Sequence, residues 1–191
     1  MSVPWMIESA EHRRRLLSVA RETADGLLRG TTRALPPEAP EIPGRFGGAF
    51  VTFWSGRRLR GCVGTFAPTT DISATIQEVA EASLNDERFQ GHPITGEELK
   101  NLQIEISVLS DWQATDDPAS LVPGTHGIVV RRGHRSGCFL PQVASEHGWS
   151  AEEFLSNCCS MKAGLPAEAW RLPDTEVLVF TADVFSESDF A

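Results

Sequence analysis

Cysteine is scarce and irregularly placed in this sequence. Four cysteines occur in 191 residues; Cys158 and Cys159 are adjacent, and no two cysteines form a C-x-x-C pair. Such spacing argues against a disulfide framework and agrees with a reducing compartment, so we expect free thiols.

A long apolar run is absent as well. The first residues, MSVPWMIES, contain no basic segment followed by an apolar stretch. We therefore expect neither a signal peptide nor a membrane-spanning helix, and we predict a cytoplasmic protein that does not bind membranes.

An excess of positive charge is also lacking, since the formal net charge is −9. Nucleic-acid binding depends on many lysine and arginine contacts with phosphates, so no nucleic-acid partner is expected. The arginines nevertheless form three clusters that would suit a local anionic ligand. These clusters are residues 13–15, residues 57, 58 and 60, and residues 131, 132 and 135.

Metal ligands and phosphate loops are missing too. His134 and Cys138 lie on either side of a predicted hairpin turn and His147 stands alone, so no spacing resembles a zinc or non-haem iron site. The sequence predicts no metal and no cofactor, and it gives no indication of the oligomeric state.

What the sequence does contain is a hairpin pattern over Gly47–Phe66, GGAFVTFWSGRRLRGCVGTF. Two runs rich in apolar and β-branched residues, 49–54 and 59–66, are separated by residues 55–57, which include a glycine. This arrangement predicts two antiparallel strands joined by a tight turn.

The second strand carries a candidate nucleophile, Cys62. Side chains alternate between the two faces of a strand, so we predict Arg60 and Cys62 on one face, about 7 Å apart, with Leu59 and Val63 in the core. A guanidinium beside a thiol favours the thiolate, which is the nucleophilic form. The alternative interpretation is that Cys62 is a small buried hydrophobe, as many free cysteines are.

The residues around the cysteine are candidates for contact with a substrate. Gly61 and Gly64 flank Cys62, and glycine inside a strand is typical of a bulge or of a close approach by a backbone or a ligand. The candidate substrate-binding residues are Arg58, Gly61, Gly64 and Thr65.

Two further residues are candidate proton handlers. Glu105 lies on the polar face of a predicted alternating strand, Leu102–Leu109, where it is either a general base or a solvated side chain. His126 lies between glycines at the entrance to the predicted strand Ile128–Arg132, where it is either a functional residue or a hydrogen-bonded turn residue. With Arg60 and Cys62, they complete the set of candidate catalytic residues.

The spacing of apolar residues and the turn signals predict the other elements. We expect helices over Ser9–Arg29, Asp71–Leu84 and Ser150–Ala163, a helical turn at Thr95–Glu98, a loop over Thr31–Gly44, a strand at Cys138–Leu140 and a last strand over Val177–Phe185. The helix at Asp71 would stabilise a thiolate if its N-terminus faced Cys62. Cys158 and Cys159 are about 100° apart on a helix, so we expect one of them in the core.

Four segments of the chain stand out as motifs. They are LRGCVGTF at 59–66, DERF at 86–89, FLPQV at 139–143, and KAGLP at 162–166 followed by Trp170. In this order they resemble the AMMECR domain family, also called AmmeMemoRadiSam system protein A. The chain departs from the family pattern at Glu87, where proline is usual, and in lacking the tyrosine often found in the C-terminal strand.

The resemblance implies an α+β fold, and association with a Memo-like protein and a radical SAM protein, but no particular reaction. We expect a single two-lobed domain over residues 5–187, with a mainly antiparallel sheet flanked by helices and a cleft near the LRGCVG strand. The first functional hypothesis is a thiol-dependent enzyme that uses Cys62 on a small or modified substrate. The alternative is a non-catalytic module of the same system that binds a small molecule or a protein.

Overall fold

The computed structural model describes Ile7, residues 9–31 and residues 35–191. Within these residues the chain forms two compact units. The first comprises the described residues up to Ser110 together with Asp183–Ala191, and the second comprises Asp111–Ala182. The predicted domain start at residue 5, and residues 32–34 of the predicted loop, lie outside the described residues.

The chain mixes helices and strands, which confirms the α+β class. The helices are α1 (Ala10–Leu28), α2 (Ile72–Leu84), α3 (Gly96–Leu99), α4 (Pro141–His147) and α5 (Ala151–Asn157). The strands are β1 (Phe46–Ser55), β2 (Arg58–Thr65), β3 (Gln103–Ser110), β4 (Gln113–Ala114), β5 (Gly127–Arg132), β6 (Arg135–Phe139), β7 (Glu176–Phe180) and β8 (Ala182–Ser186). No helix in the described part of the chain has the length and apolar character needed to cross a membrane.

The described strands form one four-stranded sheet in the order β2-β1-β3-β8 and another in the order β4-β7-β5-β6. The predicted hairpin is present: β1 pairs antiparallel with β2 across the two residues Gly56 and Arg57, and β1 also pairs antiparallel with β3. β2 is therefore an edge strand, while β1 lies inside the sheet.

Helices α1 and α2 cover one face of the first sheet. Ala49, Val51 and Phe53 of β1 share one face of the strand and are fully buried in the same core as the apolar faces of both helices. The predicted starts of these helices are confirmed, since the side chains of Ser9 and Asp71 cap them by accepting hydrogen bonds from backbone N–H groups.

A β-bulge at Arg60 changes the predicted alternation along β2. The register pairs Trp54 with Leu59 but Phe53 with Gly61, so Arg60 is the extra residue. Because of this shift, Leu59 lies on the face of Cys62 rather than opposite it, and the prediction that Leu59 packs into the core is wrong. Sequence alternation assumes an unbroken ladder and could not show the bulge.

The last turn of α2 sits directly on the hairpin at Gly61. A Cβ atom at this position would lie 2.1 Å from the backbone oxygen of Ser83. The Ser83 hydroxyl is fully buried; it accepts a hydrogen bond from the Val63 N–H and donates one to the Val51 carbonyl, both at 2.8 Å. Gly61 is thus the residue that allows helix and strand to approach each other this closely.

The second unit has a core of its own. β5 pairs antiparallel with β6 and β7, and the core beside them includes Phe154 and Leu155 of α5. The capping box predicted at Ser150 is confirmed. Cys158 and Cys159 follow α5 in a π-helical turn, and both are fully buried in this core, so the expectation of only one core cysteine is wrong. The wider π-turn explains this, because it replaces the α-helical spacing assumed from the sequence.

The predicted last strand is divided between the two sheets. β7 pairs with β5 in the second sheet, whereas β8 neighbours β3 in the first. Thr181 separates them, without the glycine or proline that would have indicated a break in the sequence.

We predict that Gly61→Ala destabilises the first unit by about 1–3 kcal/mol or more, because the added Cβ would overlap the Ser83 carbonyl and force α2 away from the sheet. Chemical denaturation of the full chain measures this loss.

Gly91→Ala is the matched control, since a Cβ at Gly91 meets no atom within 4 Å. Its free energy of unfolding should stay within about 0.5 kcal/mol of the wild-type value. Equal stability of the two variants would contradict the role assigned to Gly61.

Candidate functional site

Cys62 lies on the sheet face opposite the helices, in a row with two polar residues. The register places Cys62 of β2 beside Thr52 of β1, and Thr52 beside Glu105 of β3. The Thr52 hydroxyl donates a hydrogen bond to the Cys62 Sγ at 3.3 Å. Neighbouring strands are about 4.8 Å apart, so the Cα atoms of Cys62 and Glu105 are about 10 Å apart.

The backbone of Cys62 is held on its outer edge by two side chains. Its N–H donates to Asp86 Oδ2 at 3.0 Å, and its carbonyl oxygen accepts from Arg88 Nη2 at 2.8 Å. An edge strand normally leaves such groups available to another strand. Here Asp86 and Arg88 occupy the places of a neighbouring strand's acceptor and donor, which fixes the main chain at the cysteine.

Asp86 and Arg88 also bind each other. Arg88 donates from Nε to Asp86 Oδ1 at 3.0 Å and from Nη2 to Asp86 Oδ2 at 2.6 Å. This hydrogen bonding, with further bonds from the N–H groups of Cys62 and Arg88, lowers the pKa of buried Asp86 from 3.8 to about 2 despite its burial. The carboxylate is therefore charged at neutral pH.

Arg88 places a positive charge close to the thiol. Its side chain is 58% exposed, although one edge of the guanidinium is bound. The pKa of Arg88 is raised mainly by the hydrogen bond to Asp86, and also by electrostatic interaction with Asp86 and with Cys62. An exposed guanidinium beside a sulfur is a feature of reactive cysteine sites.

Local sequence patterns did not assign Asp86 and Arg88 to the site. The available signal was the DERF segment, which recurs as a family motif and places an acid and a base two residues apart. The DERF segment comes immediately after α2. Because Ser83 contacts Gly61, residues 86–88 lie at the outer edge of β2, where they can bind the backbone of Cys62.

Arg60 is engaged elsewhere. Its Nε and Nη2 bind the Glu98 carboxylate, and Nη2 also donates to the His92 carbonyl at 2.9 Å. The side chain is only 4% exposed, and this ion pair lowers the pKa of Glu98, to which the charge of Arg58 also contributes. The geometry therefore assigns the cation beside the thiol to Arg88, whereas a catalytic role for Arg60 stays a prediction.

Helix α2 meets β2 through its last turn, as the contact of Ser83 with Gly61 shows. The N-terminal end capped by Asp71 is the far end of the helix. The hypothesis that the positive helix end stabilises a Cys62 thiolate is therefore not supported, since the carboxyl end of a helix carries partial negative charge.

The candidate substrate-binding residues have internal partners. The space above Gly61 is filled by Ser83, and a Cβ at Gly64 would lie 2.2 Å from the Phe50 ring. The Thr65 hydroxyl accepts a hydrogen bond from the Ala67 N–H at 3.1 Å. Contacts of these residues and of exposed Arg58 with a substrate stay predictions.

His126 lies in the second unit, at the turn before β5. Its Nδ1 accepts a hydrogen bond from the Val122 N–H at 2.9 Å, and its own backbone N–H donates to the Val122 carbonyl. The ring thus closes the turn that leads into the strand, and its predicted part in catalysis is untested.

The other three cysteines lie in the second unit. Burial raises the pKa of Cys138 to about 11, and burial also raises the pKa values of Cys158 and Cys159. Among residues 7, 9–31 and 35–191, no group of three or more His, Cys, Asp or Glu side chains is arranged to hold a metal ion.

The chain is similar to proteins of one family. The family model described as AMMECR1 matches residues 17–185. A protein of Methanothermobacter thermautotrophicus is 38% identical over 94% of this chain and 96% of its own length, and one of Nanoarchaeum equitans is 37% identical over 90% and 98%. The crystal structure of an uncharacterized protein from Pyrococcus horikoshii matches with a TM-score of 0.80 at 34% identity, over 94% of this chain and 93% of that one.

The low pKa of Asp86 predicts a specific pH dependence of stability. A folded-state pKa of about 2, below the usual 3.8, means that the carboxylate stabilises the fold above pH 3.8 and that this contribution is lost as the pH falls through 2. We expect Asp86→Asn to cost about 2 kcal/mol at pH 7, with the difference from wild type shrinking below pH 4.

Urea denaturation at pH 7, 4 and 3 measures this difference. Asp174→Asn is the control, because it removes an exposed carboxylate paired with Arg132 and should change stability by less than about 1 kcal/mol. A deficit of Asp86→Asn that is absent at pH 7, or that is as large at pH 3 as at pH 7, would contradict the assignment.

Proposed function

This chain belongs to the AMMECR1 family, and we propose that it is a thiol-dependent enzyme in which Cys62 acts on a small or modified substrate. The observation that carries the proposal is the setting of the thiol. Cys62 is partly exposed, its sulfur accepts a hydrogen bond from Thr52, and its backbone carbonyl oxygen accepts one from the guanidinium of Arg88.

Each part of this setting supports nucleophilic chemistry. The thiolate is the attacking form of a cysteine, and a nearby cation favours it by Coulomb attraction. In the proposed step, the Cys62 sulfur forms a bond to an electrophilic atom of the substrate, and the electron pair of the broken bond leaves with the departing group. The Thr52 hydroxyl, a hydrogen-bond donor to the sulfur, orients it.

Asp86 is a positioning residue in this proposal. It holds the Cys62 N–H and binds Arg88 through both carboxylate oxygens, so it fixes the cation relative to the strand. Glu105, in the same row of side chains, is the proposed contact for the polar end of a substrate that extends along the sheet face, and its part in proton transfer stays a prediction. Arg60 is assigned a structural ion pair with Glu98, and His126 is assigned the closure of its turn.

The proposed setting in the cell rests on the family resemblance. We infer that the protein acts in the cytoplasm together with a Memo-like protein and a radical SAM protein. Unpaired cysteines are expected in the cytoplasm because it is a reducing compartment. The described cysteines are all free thiols, which supports this choice of compartment.

We predict that Cys62→Ser abolishes function in a host whose own copy has been deleted, because serine keeps the size of the side chain but provides no comparable thiolate at neutral pH. Complementation of the deletion phenotype is the measurement, and thermal melting of the purified variant verifies its fold.

Cys138→Ser is the matched control, since this half-buried cysteine lies in the second unit and carries no proposed step. It should complement fully. Full complementation by folded Cys62→Ser would rule out the covalent mechanism, and the chain would then be better described as the non-catalytic binding module.

A further inference from the structure

An open pocket of about 470 Å³ lies at the hairpin end of the first sheet, within the first unit. Two strand residues, Gln103 and Glu105, contribute one side of it, and Trp54 contributes an aromatic ring. The hairpin turn, the last residue of β8 and the chain just after it provide the remainder. The lining residues are Trp54, Gly56, Arg57, Gln103, Glu105, Ser186 and Ser188.

The pocket contains two opposite charges that are not paired. Among the described residues, neither the Glu105 carboxylate nor the Arg57 guanidinium has a hydrogen-bond or ion-pair partner. This differs from other charges of the same unit, such as Arg21 with Glu187 and Arg60 with Glu98, which form close ion pairs. Two unpaired charges of opposite sign beside one cavity are complementary to a ligand that carries both signs.

Trp54 is the aromatic residue that lines the same pocket. The register places it directly opposite Gln103 and diagonal to Glu105 on the same face. Diagonal neighbours on a sheet are about 7 Å apart, within the reach of an aromatic side chain. Ser186 and Ser188 also line the pocket, and their hydroxyls bind each other at 2.7 Å.

We propose that this pocket binds the zwitterionic end of a ligand, an amino acid or an amino-acid conjugate. The ammonium group would bind Glu105, the carboxylate would bind Arg57, and the apolar part would contact Trp54. A purely anionic or purely cationic ligand would leave one of the two charges uncompensated. An ammonium near an indole ring gains a further cation–π attraction.

This inference names a substrate class for the Cys62 site and so rests on the proposed function. Glu105 belongs to the row Cys62, Thr52 and Glu105, so a ligand held at Glu105 lies on the same sheet face as the thiol. The Cα atoms of Glu105 and Cys62 are about 10 Å apart, so a conjugate whose amino-acid end occupies the pocket must extend about that far along the sheet face for its other end to meet the sulfur.

Binding of three probes that share one ring tests the charge requirement. They are L-phenylalanine, phenethylamine, which lacks the carboxylate, and 3-phenylpropionate, which lacks the ammonium. We expect L-phenylalanine to shift the NMR signal of the Trp54 indole N–H, and the two singly charged probes to bind about tenfold more weakly or worse.

Isosteric variants identify the charged partners. Glu105→Gln and Arg57→Gln should each weaken L-phenylalanine binding about tenfold or more. Glu97→Gln and Arg15→Gln are the matched controls, because both side chains are exposed and neither lines the pocket, and both variants should bind L-phenylalanine as wild type does.

Two results would overturn the inference: no saturable shift of Trp54 with L-phenylalanine, or unchanged affinity in Glu105→Gln. The variant Cys62→Ser distinguishes failure of the pocket proposal from failure of the proposed function. It should bind L-phenylalanine normally even though the proposed function requires it to fail in complementation. If the protein does not bind L-phenylalanine but Cys62→Ser fails in complementation, only the pocket proposal is refuted. If L-phenylalanine binds but Cys62→Ser complements fully, only the proposed enzymatic function is refuted.

Discussion

The close approach of one helix turn to one glycine is the constraint on which the candidate site depends. Gly61 has no side chain, so the Ser83 carbonyl of α2 occupies the space that a Cβ would need. The Ser83 hydroxyl then bonds to both strands of the hairpin. The chain leaves α2 two residues after Ser83. This single contact therefore determines the positions of Asp86 and Arg88 beside β2.

The site follows from that placement. Asp86 and Arg88 bind the two outward-facing backbone groups of Cys62, so an edge strand is closed by side chains instead of by another strand. Their mutual ion pair keeps an acid charged in a buried position and holds a guanidinium at the carbonyl oxygen of Cys62. The sheet face opposite the helices carries buried Thr52 and half-buried Glu105, and on this face the Thr52 hydroxyl donates a hydrogen bond to the thiol.

Local sequence patterns were sufficient to predict most helices and strands and part of the candidate site. The hairpin, helices α1 and α2 and the capping residues Ser9, Asp71 and Ser150 all follow from spacing and turn chemistry. Alternation also separates Cys62 from the core-facing residues of β1, since Thr52 is its partner. The four motifs, taken in their order along the chain, were sufficient to identify the family.

The remaining features depend on contacts between residues far apart in the sequence. The alternation of residues in the sequence does not predict the bulge at Arg60. The pairing of Arg60 with Glu98 depends on where α3 packs. The nearest charged residues along the strand, Arg58 and Arg60, suggested a local cation, whereas Arg88 reaches Cys62 only because α2 returns the chain to the edge. The break between β7 and β8 likewise reflects sheet pairing and has no local signal.

In the proposed mechanism Arg88, rather than Arg60, makes Cys62 a reactive thiol. Alkylation of the four cysteines by iodoacetamide at pH 7, followed by peptide mass spectrometry, measures this reactivity. We predict that Cys62 reacts fastest, that Arg88→Gln slows it several-fold, and that the charge-neutral double variant Arg60→Gln with Glu98→Gln leaves its rate unchanged. Labelling of Cys62 no faster than Cys138, or an unchanged rate in folded Arg88→Gln, would contradict the role of Arg88.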